Sequence, residues 1–427
     1  MGFEKEKRER VKKVLIVATV FKFLGFEKNN IKILKSMGYE IHCAANLNQA
    51  EWLKDDGLLD DIGIIKHQVD FERNPLSKQN INAYRQLKCL IKKYHFTLIH
   101  CHTPVAAALT RIAAIKSRKH GTKVIYTAHG FHFFQGAPLK NWMLYYPVEK
   151  ILSWWTDCLI TINKEDYKRA KKKFHAKRTE YVSGVGVDTQ KFFIPDKDLE
   201  IKKQKEITAD KSSIIKDYEK ADTLQKSIVE EESSYITIRQ EKRKELGVHQ
   251  DDFVIVSVGE LNANKNHRVI IEAVKQLNDR KIKYIVCGMG ELKEELEELI
   301  KKERLEKQVF LLGYREDIRE ILWVGDLFAF PSKREGLPVA LMEAMASGIP
   351  CIASDIRGNR DLFGKERKKY LLSPIKPEAW ENSIKYCMQN QEKIIDITKE
   401  NYKRILDFSK TKVVKKMRKI YQELGRV

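Results

Sequence analysis

The chain holds no Cys-x-x-Cys pair. Its seven cysteines (Cys43, Cys89, Cys101, Cys158, Cys287, Cys351, Cys387) stand singly, which excludes a zinc-ribbon or dithiol redox motif. Single thiols inside apolar runs act as small hydrophobes, and their odd number and scatter fit a reducing cytoplasm. No run of 18 apolar residues occurs, so no membrane-spanning helix is expected. The segment from Met1 to Lys13 is charged rather than apolar, so it does not read as a secretory signal. Helix-turn-helix, zinc-finger and RNA-recognition motifs are also missing. Acids are outnumbered, 59 Asp and Glu against 80 Lys and Arg, for a net charge of +21. Such a balance suits nucleic acid, anionic lipid or a phosphorylated substrate. With no nucleic-acid motif and with acids mixed among the bases, nucleic-acid binding ranks last among the readings.

What is present is a repeated alternation. With 427 residues the chain exceeds one ordinary core and suggests two domains. Apolar runs at Lys13–Thr19, Glu40–Ala45, Ile62–His67, Thr97–His102, Lys123–Ala128, Cys158–Ile162 and Thr179–Ser183 read as strands. Helical spacing falls between them at Asn29–Met37, near 77–94 and at Ala106–Lys116. The pattern resumes with strands at Asp252–Val258, Lys283–Cys287, Gln308–Leu312, Asp326–Phe330, Ile349–Ala353 and Tyr370–Leu372. Each half therefore reads as a doubly wound parallel sheet, an α/β fold with ligand sites at the carboxyl ends of its strands. Between the halves, about 195–240, Lys, Glu, Asp, Ser and Ile mix without turn signals. This segment is expected to be a charged insert, partly helical and exposed. A basic amphipathic helix is expected over about 397–425.

One stretch organises the second half. After the strand Asp326–Phe330, a tight loop carries Glu335, Gly336 and Pro338. Helical spacing follows through Val339, Leu341, Met342, Ala344 and Met345 until Gly348-Ile349-Pro350. A helix that starts at a strand's carboxyl end offers free backbone N–H groups to an anion. Glu343 sits among Leu341, Met342, Ala344, Met345 and Ala346, a poor setting for a solvated carboxylate.

The E-G-L-P head with its E-x7-E spacing resembles the donor-site motif of retaining GT-B glycosyltransferases, above all family 4 and its members in bacterial capsule and exopolysaccharide clusters. The resemblance spans nearly the whole chain outside about 195–240. It implies two Rossmann-like domains facing across a cleft: residues 1–194 on the acceptor side, 241–396 on the donor side, and 397–427 as a helix returning to the first domain. It also implies sugar transfer from a nucleoside diphosphate, with UDP expected, and retention at the anomeric carbon.

The donor roles follow from the resemblance. Glu343 would take the ribose hydroxyls. Backbone N–H groups around Gly336, Leu337, Pro338 and Val339 would hold the diphosphate or sugar. Glu335 would bind a sugar hydroxyl or stabilise positive charge on the ring. In Ser257-Val258-Gly259-Glu260-Leu261-Asn262-Ala263-Asn264-Lys265, Gly259 ends the strand, and Lys265 holds the lysine position that neutralises the departing phosphate. Glu260 stands where relatives carry arginine, so either Arg334, Arg357 or His267 is expected to compensate, or the phosphate is held differently. Cys287-Gly288-Met289-Gly290 is a glycine turn near the donor, and Tyr314 is the residue expected beside the base. No Asp-x-Asp metal motif is read in the chain, so neither a metal nor a cofactor is expected.

In the first half, His129 ends a strand, and the resemblance gives it contact with the donor sugar; His132 is second choice. His102 is an acceptor-side candidate, or equally a residue at the start of the next helix. Segment 141–155 holds three of the six tryptophans, near Lys116–His120 and Lys171–Lys173. Aromatic and basic residues together suit an anionic membrane surface, although the aromatics could instead fill the core. The expected partners are thus a nucleotide sugar, a glycan or polyprenyl-linked acceptor, and the inner face of the cell membrane, with no nucleic acid. A UDP-sugar 2-epimerase on the same fold is the competing enzyme; it would not need the E-x7-E pattern.

Overall fold

The computed structural model describes residues 11–48, 57, 59–193, 235–363 and 370–425. Most of the expected insert, residues 194–234, lies outside them. So does Asp196-Lys197-Asp198, an Asp-x-Asp triplet that corrects the reading of none in the chain. Residues 235–245 are helical. The chain divides into two compact units, one formed by 1–186 with 410–427 and the other by 187–409.

The first unit is built on seven parallel strands: β1 (Lys13–Val20), β2 (Glu40–Asn46), β3 (Ile65–Gln68), β4 (Leu98–His102), β5 (Lys123–Ala128), β6 (Cys158–Thr161) and β7 (Arg178–Tyr181). Their order is β3-β2-β1-β4-β5-β6-β7. Central strands here are continuous apolar runs because helices cover both sheet faces. Val14, Ile16, Ile41 and Ile125 point to one core, and Leu15, Val17, Ile99 and Val124 to the other. The first core is closed by Val413, Met417, Ile420 and Tyr421 of the Lys410–Gly425 helix.

That helix corrects one sequence expectation. The single helix read over 397–425 is two, Gln391–Ile405 in the second unit and Lys410–Gly425 in the first, joined through a turn at Leu406–Phe408. No Gly or Pro breaks it. Instead Ser409 pairs with Val187 as an isolated bridge, Val187 donating to the Phe408 carbonyl at 3.0 Å, and Phe408 is buried.

The second unit has six parallel strands: β8 (Phe253–Val258), β9 (Ile282–Cys287), β10 (Val309–Leu311), β11 (Leu327–Phe330), β12 (Cys351–Ser354) and β13 (Leu371–Leu372), ordered β10-β9-β8-β11-β12-β13. In each sheet the strand order reverses once, between β1 and β4 and between β8 and β11. Loops leave such a switch point in opposite directions and open a crevice there. Both groups of candidate residues lie at these two places. Among the described residues no helix is long and apolar enough to cross a membrane.

Candidate functional site

The loops that leave β8 and β11 are tied together. Asn262 Oδ1 accepts from the N–H groups of Asn264 (3.0 Å) and Lys265 (2.9 Å), which curls the β8 loop. Lys333 N–H donates to the Asn264 carbonyl at 2.8 Å, and Asn264 Nδ2 donates to the Arg334 carbonyl at 3.0 Å. The result brings Lys265 Nζ to 2.8 Å from Glu335 Oε1, with both side chains largely shielded. Lys265 also lies 5.1 Å from the centre of the Phe330 ring. Gly259 lets the lysine stem pass, since a Cβ there would sit 3.1 Å from Lys265 Cδ.

The glycine turn after β9 joins the same floor. A Cβ on Gly288 would lie 1.9 Å from the Gly259 carbonyl oxygen, and one on Gly290 2.4 Å from that of Leu261. Gly288 N–H donates to the Gly313 carbonyl at 2.8 Å, which links the loop after β10. Tyr314 follows and is exposed on the rim. On the other side, Arg357 Nε donates to the Glu335 carbonyl at 3.3 Å, and Gly358 approaches so closely that a Cβ would meet the Gly336 oxygen at 2.5 Å.

Leu337 and Pro338 are buried under the start of the Val339–Ala346 helix. Pro338 is its N-cap and, with no side-chain acceptor, does not cap the first N–H groups. Glu343 lies on the second turn, partly buried. Among the described residues its carboxylate makes no hydrogen bond. Burial pushes its pKa up to about 7, which Lys191 of the Thr189–Phe192 helix opposes. Lys191 was not singled out from sequence, because only the packing of these two helices in the second unit brings it near.

Of the cations expected to replace the missing arginine, His267 is the least suited. It is buried, its Nδ1 pairs with Tyr284 Oη at 3.1 Å, and burial lowers its pKa to about 4, so it is neutral at pH 7. Glu260 itself points to solvent and accepts from Asn262 Nδ2 at 2.8 Å.

In the first unit, His102 and His129 end the adjacent strands β4 and β5, and His102 Nδ1 lies 3.1 Å from His129 Nε2. A residue not seen in the sequence joins them: Glu27, in the Phe21–Glu27 turn after β1, with Oε1 at 3.4 Å from His102 Nδ1 and 3.5 Å from His129 Nε2. Burial raises the pKa of Glu27, lowers that of His129, and lowers that of His102 far below its ordinary range, where the charge of His129 adds to the effect. His132 stands apart from this trio, stacked on Tyr145 at 4.5 Å. It lines a cavity of about 280 Å³ with Thr19, Phe23, Arg73, Thr103 and Tyr145. Arg73, a cation in an otherwise largely apolar wall, is a second residue that sequence reasoning passed over.

The tryptophan-rich segment divides between its two readings. Trp142, Tyr145 and Tyr146 of the Leu139–Leu152 helix pack on the core, whereas Leu139, Met143, Leu144, Val148, Ile151 and the following Trp154 are exposed.

Comparison with known proteins gives a consistent result. Residues 238–404 match the family described as "Glycosyl transferases group 1", and residues 13–163 match "Glycosyl transferase 4-like". The chain is 36% identical over 414 residues, 96% of each protein, to the putative glycosyltransferase EpsD of Bacillus subtilis. It is 27% identical over 365 residues, 82% of this chain and 83% of the relative, to an Escherichia coli protein named UDP-Gal:alpha-D-GlcNAc-diphosphoundecaprenol alpha-1,3-galactosyltransferase. Among solved structures, Anabaena HepE in complex with UDP and glucose superposes with a TM-score of 0.71 at 18% identity, over 97% of this chain and 100% of that one. The last likeness concerns the fold.

Proposed function

We propose a reaction for a chain that belongs to the family 4 GT-B glycosyltransferases: transfer of a sugar from a UDP-sugar to a glycan or polyprenyl-diphosphate-linked acceptor in surface polysaccharide assembly, with retention at the anomeric carbon. The observation that carries it is the Lys265–Glu335 pair at the β8/β11 switch point, beside a helix start that no side chain caps. UDP is favoured as the nucleotide, and a lipid diphosphate as the acceptor, by the name of the Escherichia coli relative.

In this reading Glu343 accepts the ribose hydroxyls, and the N–H groups that open its helix hold phosphate oxygens. The bond from the anomeric carbon to the β-phosphate oxygen breaks, and the acceptor hydroxyl forms the new bond on the same face. Its proton passes to the departing phosphate, so no carboxylate becomes a covalent nucleophile. Lys265 balances the charge left on the phosphate. Glu335 stabilises positive charge at the ring or holds a sugar hydroxyl. Tyr314 lies at the base, and His129 is the candidate for contact with the sugar being transferred. His132, Arg73 and the cavity they line offer an aromatic wall and a cation to an acceptor carrying sugar and phosphate, with His102 behind them.

The apolar face of the Leu139–Leu152 helix supports contact with a membrane. A stripe of exposed Leu, Met, Val, Ile and Trp, near the exposed lysines of 116–119 and 171–173, suits the interface of an anionic bilayer, where the lipid-linked acceptor resides. The cytoplasmic leaflet is the side this proposal assigns.

A thermal-shift panel of UDP-, GDP- and ADP-sugars tests the donor: stabilisation by UDP-sugars alone is expected. Incubating the donor without acceptor separates the epimerase reading, which requires a C2-inverted nucleotide sugar to accumulate.

A further inference from the structure

We propose that His102 is a positioning residue for His129: it holds the proton of that ring on Nδ1, so that His129 meets the transferred sugar as a hydrogen-bond donor. This deepens the sugar-contact reading of His129 and rests on it.

Proton counting fixes the assignment. His102 Nδ1 lies 3.1 Å from His129 Nε2. A hydrogen bond between two neutral imidazoles needs an N–H on one ring and a lone pair on the other. Burial keeps both rings below their ordinary pKa, so both are neutral at pH 7. His102 Nε2 decides which ring donates. It is buried and has no hydrogen-bond partner among the described residues. The neighbouring ring of His100, at 4.1 Å, is already engaged: its Nδ1 pairs with Tyr421 Oη at 2.9 Å and its Nε2 with Thr127 Oγ1 at 2.8 Å. Orphaned N–H groups are rarer in protein interiors than unfilled lone pairs. The proton of His102 therefore sits on Nδ1 and is donated to His129 Nε2. His129 then carries its own proton on Nδ1, an atom that makes no hydrogen bond among the described residues.

Glu27 reinforces the arrangement. Its Oε1 lies 3.4 Å from His102 Nδ1 and 3.5 Å from His129 Nε2, so its charge draws a proton into the space between the rings. Asn30 Nδ2 donates to Oε2 at 2.6 Å and fixes the carboxylate. Donors facing both oxygens suit the ionised form. The other titratable groups beside the trio, His100 and Tyr421, stay neutral, because burial lowers the first pKa and raises the second.

The rings are also held mechanically. Phe23 stands edge-on to His129 at 4.9 Å. Thr103, next to His102, has φ +60°, uncommon for a β-branched residue, and is pinned by Thr19, whose N–H donates to Thr103 Oγ1 at 2.9 Å. His129 keeps 23% of its side chain exposed, against 0% for His102 and 2% for Glu27. Only His129 can reach a ligand, so His102 and Glu27 act through it.

The test reads the tautomer in the unliganded full chain with ¹⁵N-labelled histidine. Two-bond ¹H–¹⁵N correlations should show His129 as Nδ1–H, its signal identified by loss in His129→Gln. Free imidazole side chains prefer Nε2–H, so this state is no default. In His102→Leu, His129 should turn an Nε2–H to Glu27, and kcat should fall about tenfold or more. His102→Asn, whose amide N–H can stand in for Nδ1–H, should recover the tautomer and part of the lost turnover. With the monodeoxy UDP-sugar that lacks the oxygen His129 meets, the His102→Leu penalty should vanish. An Nε2–H tautomer at His129 in the native chain, or a penalty that persists with every monodeoxy donor, overturns the proposal. UDP affinity should be equal in the native chain and His102→Leu. Failure of UDP to bind the native chain strikes the donor reading instead, since the tautomer is read without ligand.

Discussion

Lys265 Nζ and Glu335 Oε1 meet at 2.8 Å, although seventy residues separate them in the chain. The contact joins the loops after β8 and β11, the two strands that flank the switch point. The ion pair ties the lysine of the β8 loop to the β11 loop, and an anionic donor bound as proposed would compete with Glu335 for it.

That competition gives the first prediction. Lys265→Met should lower kcat by about 10²–10³-fold through lost charge balance on the leaving phosphate. Glu335→Gln frees Lys265, so UDP affinity should hold or improve while kcat falls. Steady-state kinetics with calorimetry checks both; a Glu335→Gln protein that loses UDP affinity and keeps its turnover contradicts the division of roles.

Glu343 gives a pH dependence. Its carboxyl titrates at about 7 because it is buried. In the proposed role, ribose hydroxyls donating to the ionised form would pull that value down, and UDP binding below pH 7 would release a proton. Affinity should therefore rise from pH 5 to 7, by at most about tenfold per pH unit, and level off above. Affinity that falls over this range has the wrong sign for the ribose role.

The same group affects stability in the opposite sense. Its folded pKa exceeds the unfolded value near 4.5, so its contribution is fully present below that pH and is lost as pH rises through about 7. Glu343→Gln cannot ionise. Relative to the native protein it should gain on the order of 3 kcal/mol between pH 4.5 and 8 in denaturant melts.

Gly288→Ala should cost on the order of 3 kcal/mol, since its Cβ would fall 1.9 Å from the Gly259 carbonyl and force two loops apart. Activity should drop with stability, because Lys265 hangs on the displaced loop. Chemical denaturation and turnover, measured together, check it.

For the exposed helix face, Leu139→Asp with Ile151→Asp should abolish flotation with anionic vesicles at low salt. Turnover on a soluble acceptor analogue should stay unchanged, as neither side chain belongs to the donor or acceptor residues. Vesicle binding equal to that of the native protein removes this helix from the account.

The strands were legible because buried parallel strands are continuous apolar runs, and their boundaries in β1, β5 and β8 fall within a residue of the expected ones. Lys265 and Glu335 were each legible from local motifs, but their contact was not, since it depends on how two distant loops pack. Glu27 and Lys191 carried no local signal at all: one sits in an unremarkable turn, the other in a four-residue helix. His267 misled because Asn266-His267-Arg268 reads as a polar loop, whereas its ring is buried against Tyr284. The break at Leu406–Phe408 was hidden because a tertiary bridge from Val187, rather than a helix-breaking residue, interrupts the amphipathic pattern.

The most direct measurement is calorimetric titration of UDP into the native protein and into Glu343→Ala at pH 7.5. The account predicts saturable binding to the native chain and affinity weakened roughly tenfold or more, the worth of a charge-assisted hydrogen bond, in the variant. Equal affinity for both would show that the carboxylate of the Val339–Ala346 helix does not hold the nucleotide.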